Sequence, residues 1–452
     1  MFRNPKKTSP EIFKTYSQAF LSEGLGDKAP LSYAKRRQEH LKNLDSLCVY
    51  ASAIEEKEGR ICQSPDFLYL TGINQGRAIL VLDPLAKNEK EILFLAEKNA
   101  KKEFWNGIRL GLPEPHIKEI TGFKTVFPLE KFNSWFKNRI ANLKAKHIFS
   151  NEIIRRKLLG CKLEVKDISK IHLEQRAILE QDRIALAKRA QRIAKDAFLK
   201  LLPRIANCKN ERVLCAELEC LMLSQTNNGL AFPSIVAAGK NACTLHYAKK
   251  DCEIKNGNLI LMDFGCRYNT VCCDISRTVP ANGKFNPLQK LLYNIVLDTQ
   301  KFHEKNVKAG LTLKELGKKA WDYMEKLLAE RFAAKGGKMK RHYTGKPHGI
   351  SHLIGDIVHE GTSNRSYLEK PLKPGMLISN EPGLYGHFTL SINGITYNEH
   401  IGIRIEDDLL LTKNGCKNLS ADIPKEVEAI ELLFSRAANH ATKQRLKQRF
   451  DK

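Results

Sequence analysis

The chain has 452 residues, of which 42% are hydrophobic and 28% are charged. This length exceeds that of one ordinary core, so we expect two domains, and the composition is that of a globular protein. No apolar run approaches the roughly eighteen residues that would cross a bilayer. Residues 1–20 lack the apolar core of a signal peptide, and Glu11 argues against a transit peptide. We therefore expect a cytoplasmic protein that binds no membrane.

The net charge of +25 raises the question of nucleic-acid binding, because Lys and Arg neutralise phosphates. The basic residues are spread along the chain, and the sequence has neither a zinc finger nor an RNA-binding aromatic strand. We therefore expect a solvated basic surface and no specific nucleic-acid partner. The twelve cysteines form no CxxC pair, which is typical of reduced thiols rather than of a zinc knuckle or a disulfide framework.

The amino-terminal part of the chain alternates between helical and strand-like patterns. A helix is predicted over residues 33–44, followed by four strands in the segments LCVYASA, DFLYLTGI, AILVLDP and EILFLA. The alternation continues to about residue 165 and predicts a mixed-sheet α/β domain, placed at 1–172. The first thirty residues are polar and weakly periodic. A long charged helix over 171–205, closed by Pro203, is expected to lead into a second domain at 173–452.

The segment LILMDFGCRYNTVCCDISRTV predicts a β-hairpin that carries two acids. If the turn lies at Tyr268 and Asn269, Asp263 faces Asp274 directly, with Cβ atoms about 4.5–5.5 Å apart. Two carboxylates at that spacing in an apolar sheet repel each other, so a cation is expected between them. Cys272 shares the strand parity of Asp274, and we interpret it as a small core side chain.

A second pair of acids follows the same pattern. Glu381 in LISNEPGLYG and Glu406 in HIGIRIEDD are equidistant from the dipeptide Asn393 and Gly394, the strongest short hairpin signal. Pro382 is expected to disturb the ladder beside Glu381. Three nearby acids are interpreted as ordinary flanking charge, namely Asp407, Asp408 and Glu360.

The segment PHGISHLIGDIVHE supplies three histidines, His348, His352 and His359. His348 and His352 are four residues apart and share one face of a helix or a strand. Four acids with one histidine offer oxygen-rich ligation for two divalent ions. Such a donor set favours Mn²⁺ over a thiolate zinc site, with cobalt and iron as alternatives.

Together these segments resemble the pita-bread metallopeptidase family, and within it the aminopeptidases P. The motifs that carry the resemblance are DFG, CDISRT, HGISHLIGDIVHE, SNEPGLY and GIRIEDD. The segments SPDFLYLTGINQGRAILVLDP and NLSADIPKEVEAIELL extend it over residues 31–433. It implies an α/β (α+β) fold in which a mixed-sheet amino-terminal domain precedes a pita-bread domain of two αβ halves.

The resemblance also implies roles for individual residues. Asp274 and Glu406 would bridge the two ions, and Glu381 would double as the proton shuttle. His348 and His359 would contact the substrate and stabilise the tetrahedral intermediate. The implied metal ligands are Asp263, Asp274, His352, Glu381 and Glu406, and the implied catalytic residues are His246, His348, His359, Glu381 and Arg404.

The implied activity is the release of the first residue from peptides with proline second, through a hydroxide that bridges two divalent ions, preferably Mn²⁺. A prolidase, which cleaves only Xaa-Pro dipeptides, remains an alternative. So does a non-catalytic pita-bread binding protein, although such proteins usually lose metal ligands. The amino-terminal domain could shape a neighbour's active site, so a homo-oligomer, dimer or tetramer, also remains open. Phe264 and Asn380 depart from the usual family pattern and leave fine specificity undetermined.

Overall fold

The computed structural model describes residues 29–53, 63–361 and 365–436. The chain divides into two compact units, with the boundary between Arg176 and Ala177. The predicted boundary after residue 172 falls inside the last helix of the first unit. The expectation of a polar, weakly periodic start concerns residues that lie almost entirely outside the described ones.

The first unit is built around a six-stranded mixed sheet. Its strands are β1 (Cys48–Ala51), β2 (Ala78–Leu82), β3 (Glu91–Leu95), β4 (Thr125–Pro128), β5 (His147–Ser150) and β6 (Glu164–Asp167). Its helices are α1 (Ala29–Lys42), α2 (Pro65–Thr71), α3 (Ala100–Asn106), α4 (Ile117–Thr121), α5 (Phe132–Ala141), α6 (Glu152–Leu158) and α7 (Ser169–Arg176). The strand order is β4-β3-β2-β1-β5-β6, with β1, β2 and β3 antiparallel and the other pairs parallel. Alternate side chains of the central strands enter two separate hydrophobic clusters, so both faces are covered.

The predicted helix at 33–44 and three of the four predicted strands are confirmed, as α1, β1, β2 and β3. The segment DFLYLTGI is not a strand but lies in α2. Ser64 caps this helix by accepting a hydrogen bond from Phe67 N, and Pro65 occupies its first turn. Gly72 ends it in the left-handed conformation at φ +70°. Every residue from Phe67 to Thr71 is buried, so hydrophobic periodicity could not distinguish helix from strand.

The predicted single helix over 171–205 is two helices, α7 and α8 (Gln181–Ile205). Between them the chain is extended, and Leu179 N donates to Gly375 O at 2.9 Å. Pro203 lies inside the last turn of α8, which ends two residues later.

The second unit combines four antiparallel sheets with long helices. Besides α8, its helices are α9 (Glu211–Leu223), α10 (Pro287–Asn306) and α11 (Leu313–Arg331). Its strands are β7 (Ile235–Ala238), β8 (Leu259–Phe264), β9 (Arg267–Tyr268), β10 (Val271–Cys272), β11 (Ile275–Pro280), β12 (Lys338–Arg341), β13 (Leu353–Ile354), β14 (Leu377–Asn380), β15 (Gly383–Ile392), β16 (Ile395–Arg404), β17 (Asp407–Leu411) and β18 (Cys416–Asn418). They form the sheets β11-β8-β7, β10-β9, β12-β15-β16 and β13-β14-β17-β18. Side chains from all four helices pack with β8, β11, β15 and β16 in one hydrophobic core.

The hairpin of β15 and β16 has the predicted register. Ile392 pairs with Ile395 across Asn393 and Gly394, which have φ values of +50° and +77°. These values are those of a type I′ turn, which suits the twist of the strands. The pairs β15–β16 and β14–β17 have the same register. Glu381 and Glu406 lie opposite each other in the interruption between these two ladders.

The register predicted for the other hairpin is wrong by two residues. Asp263 pairs with Ser276 and not with Asp274. The turn lies one position later, at Asn269 and Thr270, because Asn269 adopts φ +50° and its N–H donates to Asn227. A shift of two keeps side chains on the same face of a strand, so the two acids still point the same way.

The close approach at Gly265 generates a stability prediction. A Cβ at this position would lie 1.9 Å from Cys273 O, a backbone atom beside Asp274. Gly265→Ala is therefore expected to lower the free energy of unfolding by about 1–3 kcal/mol through overpacking. Urea denaturation of both proteins measures this change.

Gly317→Ala is the matched control, because Gly317 lies within α11 and a Cβ there meets no atom within 4 Å. This substitution is expected to raise stability by up to about 1 kcal/mol, since alanine favours the helix. Equal stability of the two variants would contradict the close approach at Gly265.

Candidate metal centre

Six side chains of the second unit converge on one point, namely the five expected metal ligands and the exposed His359. Three overlapping sets have ligand atoms that all lie within 4.8 Å of one another: Asp263, Asp274 and Glu406; His352, Glu381 and Glu406; Asp274, His352 and His359. Glu406 belongs to two sets, and so does Asp274. The structure thus brings together every residue expected from the sequence to bind metal.

Backbone hydrogen bonds place the acids at this point. Glu381 N donates to Ile350 O at 2.9 Å, which ties the end of β14 to the histidine segment. Glu406 N donates to Ser276 O at 3.0 Å, which links the β16–β17 break to β11. Main-chain hydrogen bonds therefore connect the end of β14 to the histidine segment and the β16–β17 break to β11. These bonds fix the backbone positions of Glu381 and Glu406, and hence where their carboxylates lie.

Several ligand atoms are buried without a hydrogen-bond partner. They are Asp263 Oδ1, Asp274 Oδ1, Glu406 Oε1 and His352 Nε2. Leaving such an atom unpaired costs about 1–3 kcal/mol, and more when the group is charged. These atoms belong to the two sets that share Glu406, so two bound cations would satisfy them together.

His352 presents an unprotonated nitrogen to the centre. Its Nδ1 lies 3.1 Å from Leu353 O, which can only accept, so Nδ1 carries the proton. Its Nε2 therefore has a free lone pair, 3.3 Å from Glu381 Oε1 and 3.6 Å from Asp274 Oδ2. This is the usual way in which a backbone carbonyl sets the tautomer of a metal-binding histidine.

The electrostatics of the acids differ from one to the next. Burial, and then the charge of the neighbouring carboxylates, raises the pKa of Asp274 and of Glu406 well above its usual value. Burial also acts to raise the pKa of Glu381, but the neighbouring His352, His348 and Arg404 side chains together lower it to about 2. Without cations, burial therefore favours the protonated forms of Asp274 and Glu406, and bound divalent ions would favour the ionised forms instead.

Arg404 supports the acids from one side. Its side chain is buried, with Nη2 2.6 Å from Asp263 Oδ2 and Nε donating to Ser276 Oγ at 2.8 Å. Ser276 Oγ in turn donates to Glu406 Oε2 at 2.9 Å. Arg404 thus holds one carboxylate directly and a second through a serine.

The remaining histidines lie at the edge of the centre. The ring of His359 packs edge-on against that of His352 with centroids 4.3 Å apart. Burial of part of the ring lowers the pKa of His359 to about 4, although one face stays exposed. His348 Nε2 lies 3.0 Å from Tyr385 OH, and its Nδ1 3.6 Å from Glu381 Oε2. His246 is exposed and close enough for its charge to act on His359.

The interpretation of Asp407, Asp408 and Glu360 as surface charge is wrong, because all three are buried. Asp407 lies 2.7 Å from Arg277 Nη2 and also pairs with Lys425. Asp408 Oδ2 accepts hydrogen bonds from Asp274 N, at 3.1 Å, and from Gln191. Cys272 is a buried core residue, as interpreted.

Sequence reasoning also missed Tyr385, whose hydroxyl contacts both His348 and Arg404. Tyr385 lies in the LISNEPGLYG segment, two residues after Gly383, so both residues face the same side of β15. Gly383 is the residue paired with Arg404. That two-residue spacing is the signal that would have placed Tyr385 on the face of the centre.

Two further features concern the expected compartment. Within the described ranges no helix is both long and apolar enough to span a bilayer. The eleven cysteines found there are all free thiols.

The comparisons with known proteins agree with the geometry. Residues 185–413 match the sequence profile of metallopeptidase family M24, and residues 33–149 match the aminopeptidase P amino-terminal domain. The chain is 30% identical over 388 residues to intermediate cleaving peptidase 55, mitochondrial, of Arabidopsis thaliana, covering 82% of this chain and 75% of that protein. It is 30% identical over 413 residues to the Xaa-Pro aminopeptidase of Haemophilus influenzae, covering 86% and 94%.

Among solved structures, Escherichia coli aminopeptidase P with the inhibitor Pro-Leu matches with a TM-score of 0.77 at 25% identity, covering 91% of this chain and 99% of that one. The predicted α/β fold class, with an amino-terminal domain ahead of a pita-bread domain, is confirmed by these matches. The chain belongs to metallopeptidase family M24, and its metallopeptidase domain follows an aminopeptidase P amino-terminal domain.

Proposed function

We propose that this protein is a two-metal aminopeptidase that releases the first residue from peptides whose second residue is proline. The observation that carries the proposal is the set of buried, unpaired ligand atoms on Asp263, Asp274, His352 and Glu406. The Haemophilus relative is named Xaa-Pro aminopeptidase, and the matching E. coli structure holds Pro-Leu, which supports proline as the recognised residue.

The centre would hold two divalent ions, one in each ligand set that contains Glu406. The family resemblance implies that Asp274 and Glu406 would bridge the ions, and both belong to two of the convergent sets, as His352 also does. Four carboxylates and one imidazole favour Mn²⁺ among the candidates. Such ions supply Lewis acidity and lower the pKa of water from about 15.7 towards about 7.

Glu381 is the expected proton carrier. Its lowered pKa keeps the carboxylate ionised at neutral pH, and its place in a convergent ligand set would put it beside the attacking water as the proton acceptor. Ser379 Oγ donates to Glu381 Oε1 at 3.3 Å and orients the group. The same carboxyl group would then pass the proton to the leaving nitrogen.

The histidines at the edge are expected to contact the peptide. Burial lowers the pKa of His348 and of His359, so both rings are neutral at pH 7 and keep one N–H. The N–H of His348 lies on Nδ1, 2.7 Å from Gly349 O, which leaves His359 as the expected donor to the peptide. A neutral N–H near the scissile carbonyl would stabilise the negative charge that develops on its oxygen. Arg404 is held by Asp263 and Tyr385 and would fix the carboxylate beside it.

The compartment and the assembly also remain proposals. The free thiols favour a reducing compartment, and the cytoplasm is our expectation. A homodimer or homotetramer stays an expectation from the family resemblance.

Metal binding is expected to stabilise the protein. Adding Mn²⁺ at about one hundred times its dissociation constant should contribute about 2.7 kcal/mol, which raises the Tm by several degrees. Asp274→Asn should abolish this shift, because the exchange removes a bridging oxygen. Differential scanning calorimetry with metal analysis measures both effects.

The control for that variant is Asp298→Asn, since Asp298 is a partly exposed acid that pairs with Arg331 and is not among the proposed ligands. It should retain the full shift. A Tm that does not change on metal addition to the wild type would contradict the proposed centre.

The aminopeptidase and prolidase alternatives differ in the length of peptide they accept. With Mn²⁺, the protein should release the first residue from Xaa-Pro-Yaa tripeptides and from longer peptides. Chromatography of the products measures the rates for the two lengths and for the Xaa-Pro dipeptide. Cleavage of the dipeptide alone would establish the prolidase instead, and alanine in place of proline serves as the control for specificity.

His359→Gln is expected to lower kcat about 100- to 1000-fold, the usual effect of removing one donor from an oxyanion site. Its metal content should not change, because His359 is not among the five proposed ligands. Steady-state kinetics and metal analysis test this. His342→Gln, an exposed histidine that contacts His400, should leave kcat near that of the wild type.

A further inference from the structure

The loop that carries His246 connects β7 to β8. It begins with a 3₁₀ turn at Gly239–Cys243 and continues to residue 252 with little regular structure. The His246 side chain is exposed. Since no strand ladder fixes this part of the loop, other contacts must set the position of His246.

One buried carboxylate accepts hydrogen bonds from residues at both ends of the loop. Glu211 begins α9 and is 0% exposed. Its Oε1 accepts hydrogen bonds from Ala238 N at 2.7 Å and Asn241 Nδ2 at 2.9 Å. Its Oε2 accepts from Tyr247 OH at 2.8 Å and Cys252 N at 3.1 Å. Ala238 lies just before the loop and Asn241 near its start, while Tyr247 follows His246 directly and Cys252 lies at the end of the loop.

These four donors fill the hydrogen-bonding capacity of the Glu211 carboxylate. A carboxylate has about four lone-pair sites, and here four hydrogen bonds fill them. Asp251 and Cys252 place ligand atoms close to Glu211, as a metal site would, but the four donors already occupy the lone pairs that a cation would need. Hydrogen bonds to a charged group are roughly twice as strong as neutral ones, so this acid suits a structural anchor.

The other side of the loop rests on β16. A Cβ at Gly402 would lie 2.1 Å from Ala242 O, so the loop backbone directly covers this strand. Cys243 Sγ lies 3.4 Å from Ile401 O. Arg404 follows two residues later, beside Asp263. The loop is thus held between Glu211 and the strand that leads to the metal centre.

We infer that Glu211 is a positioning residue that sets the place of His246 at the edge of the centre through the Tyr247 hydroxyl and the loop backbone. The inference rests on the proposed function and on the catalytic role that the family resemblance implies for His246.

A double-mutant cycle tests the inference. Glu211→Gln turns one acceptor oxygen into a donor and should lower kcat/KM about tenfold, and Tyr247→Phe, which removes one donor, about threefold. In a His246→Ala background each change should have less than about a twofold effect, because the residue that it positions is gone. Metal content should stay constant throughout. Full multiplication of the effects in the double variants would overturn the inference.

Tyr293→Phe is the matched control for the milder variant. Tyr293 is also buried and donates one hydrogen bond, to Lys425 O at 2.8 Å, but it does not contact the loop. This variant should keep kcat/KM within about twofold of the wild type. A loss equal to that of Tyr247→Phe would show a general effect of losing a buried hydroxyl, and would overturn the inference.

Hydrogen exchange separates this inference from the proposed function. Tyr247→Phe and Glu211→Gln should increase exchange at least tenfold over residues 239–252, and leave β15 and β16 unchanged. Unchanged exchange in the loop would overturn the role of Glu211 even in an active enzyme. Failure of the wild type to cleave any Xaa-Pro peptide would overturn the proposed function, while the exchange result would still decide whether Glu211 holds the loop.

Discussion

Mutual repulsion among buried carboxylates is the constraint on which the second unit depends. Asp263, Asp274, Glu381 and Glu406 meet where the local dielectric is low, and like charges there repel far more strongly than in water. Attraction among the side chains cannot assemble this group. Main-chain hydrogen bonds hold it instead, since the backbone N–H groups of Asp274, Glu381 and Glu406 all have partners on other segments. The fold therefore places these side chains together in advance, and the proposed cations would stabilise an arrangement that already exists.

The acids lie where strand ladders are interrupted. Glu381 separates β14 from β15, and Glu406 separates β16 from β17. At that level the chain leaves the sheet β13-β14-β17-β18 and enters the sheet β12-β15-β16. A residue at such a junction does not lie within a flat ladder, so its side chain can meet side chains from another sheet. Asp274, just before β11, occupies a similar break after β10.

The register of a hairpin could be predicted from the sequence where the turn residues allow only one type of turn. Asn393 and Gly394 specify a two-residue turn, and the strand period of two then carries the register to Glu381 and Glu406. Tyr268 and Asn269 gave no such constraint, because the position of that turn depends on a hydrogen bond from Asn269 to Asn227, distant in the sequence. The helix at Phe67 was missed for a related reason, since complete burial removes the polar positions that reveal periodicity.

The consecutive acids Glu406, Asp407 and Asp408 show why composition and burial cannot sort functional from structural acids. All three are buried, so exposure does not distinguish them. Asp407 is neutralised by Arg277 and Lys425, and although burial acts to raise its pKa, these charges lower it to about 2. Glu406 has an unpaired oxygen, and burial raises its pKa well above the usual value. Arg277 and Lys425 thus balance the charge of Asp407 within the protein, whereas at Glu406 the proposed centre would supply the balancing positive charge.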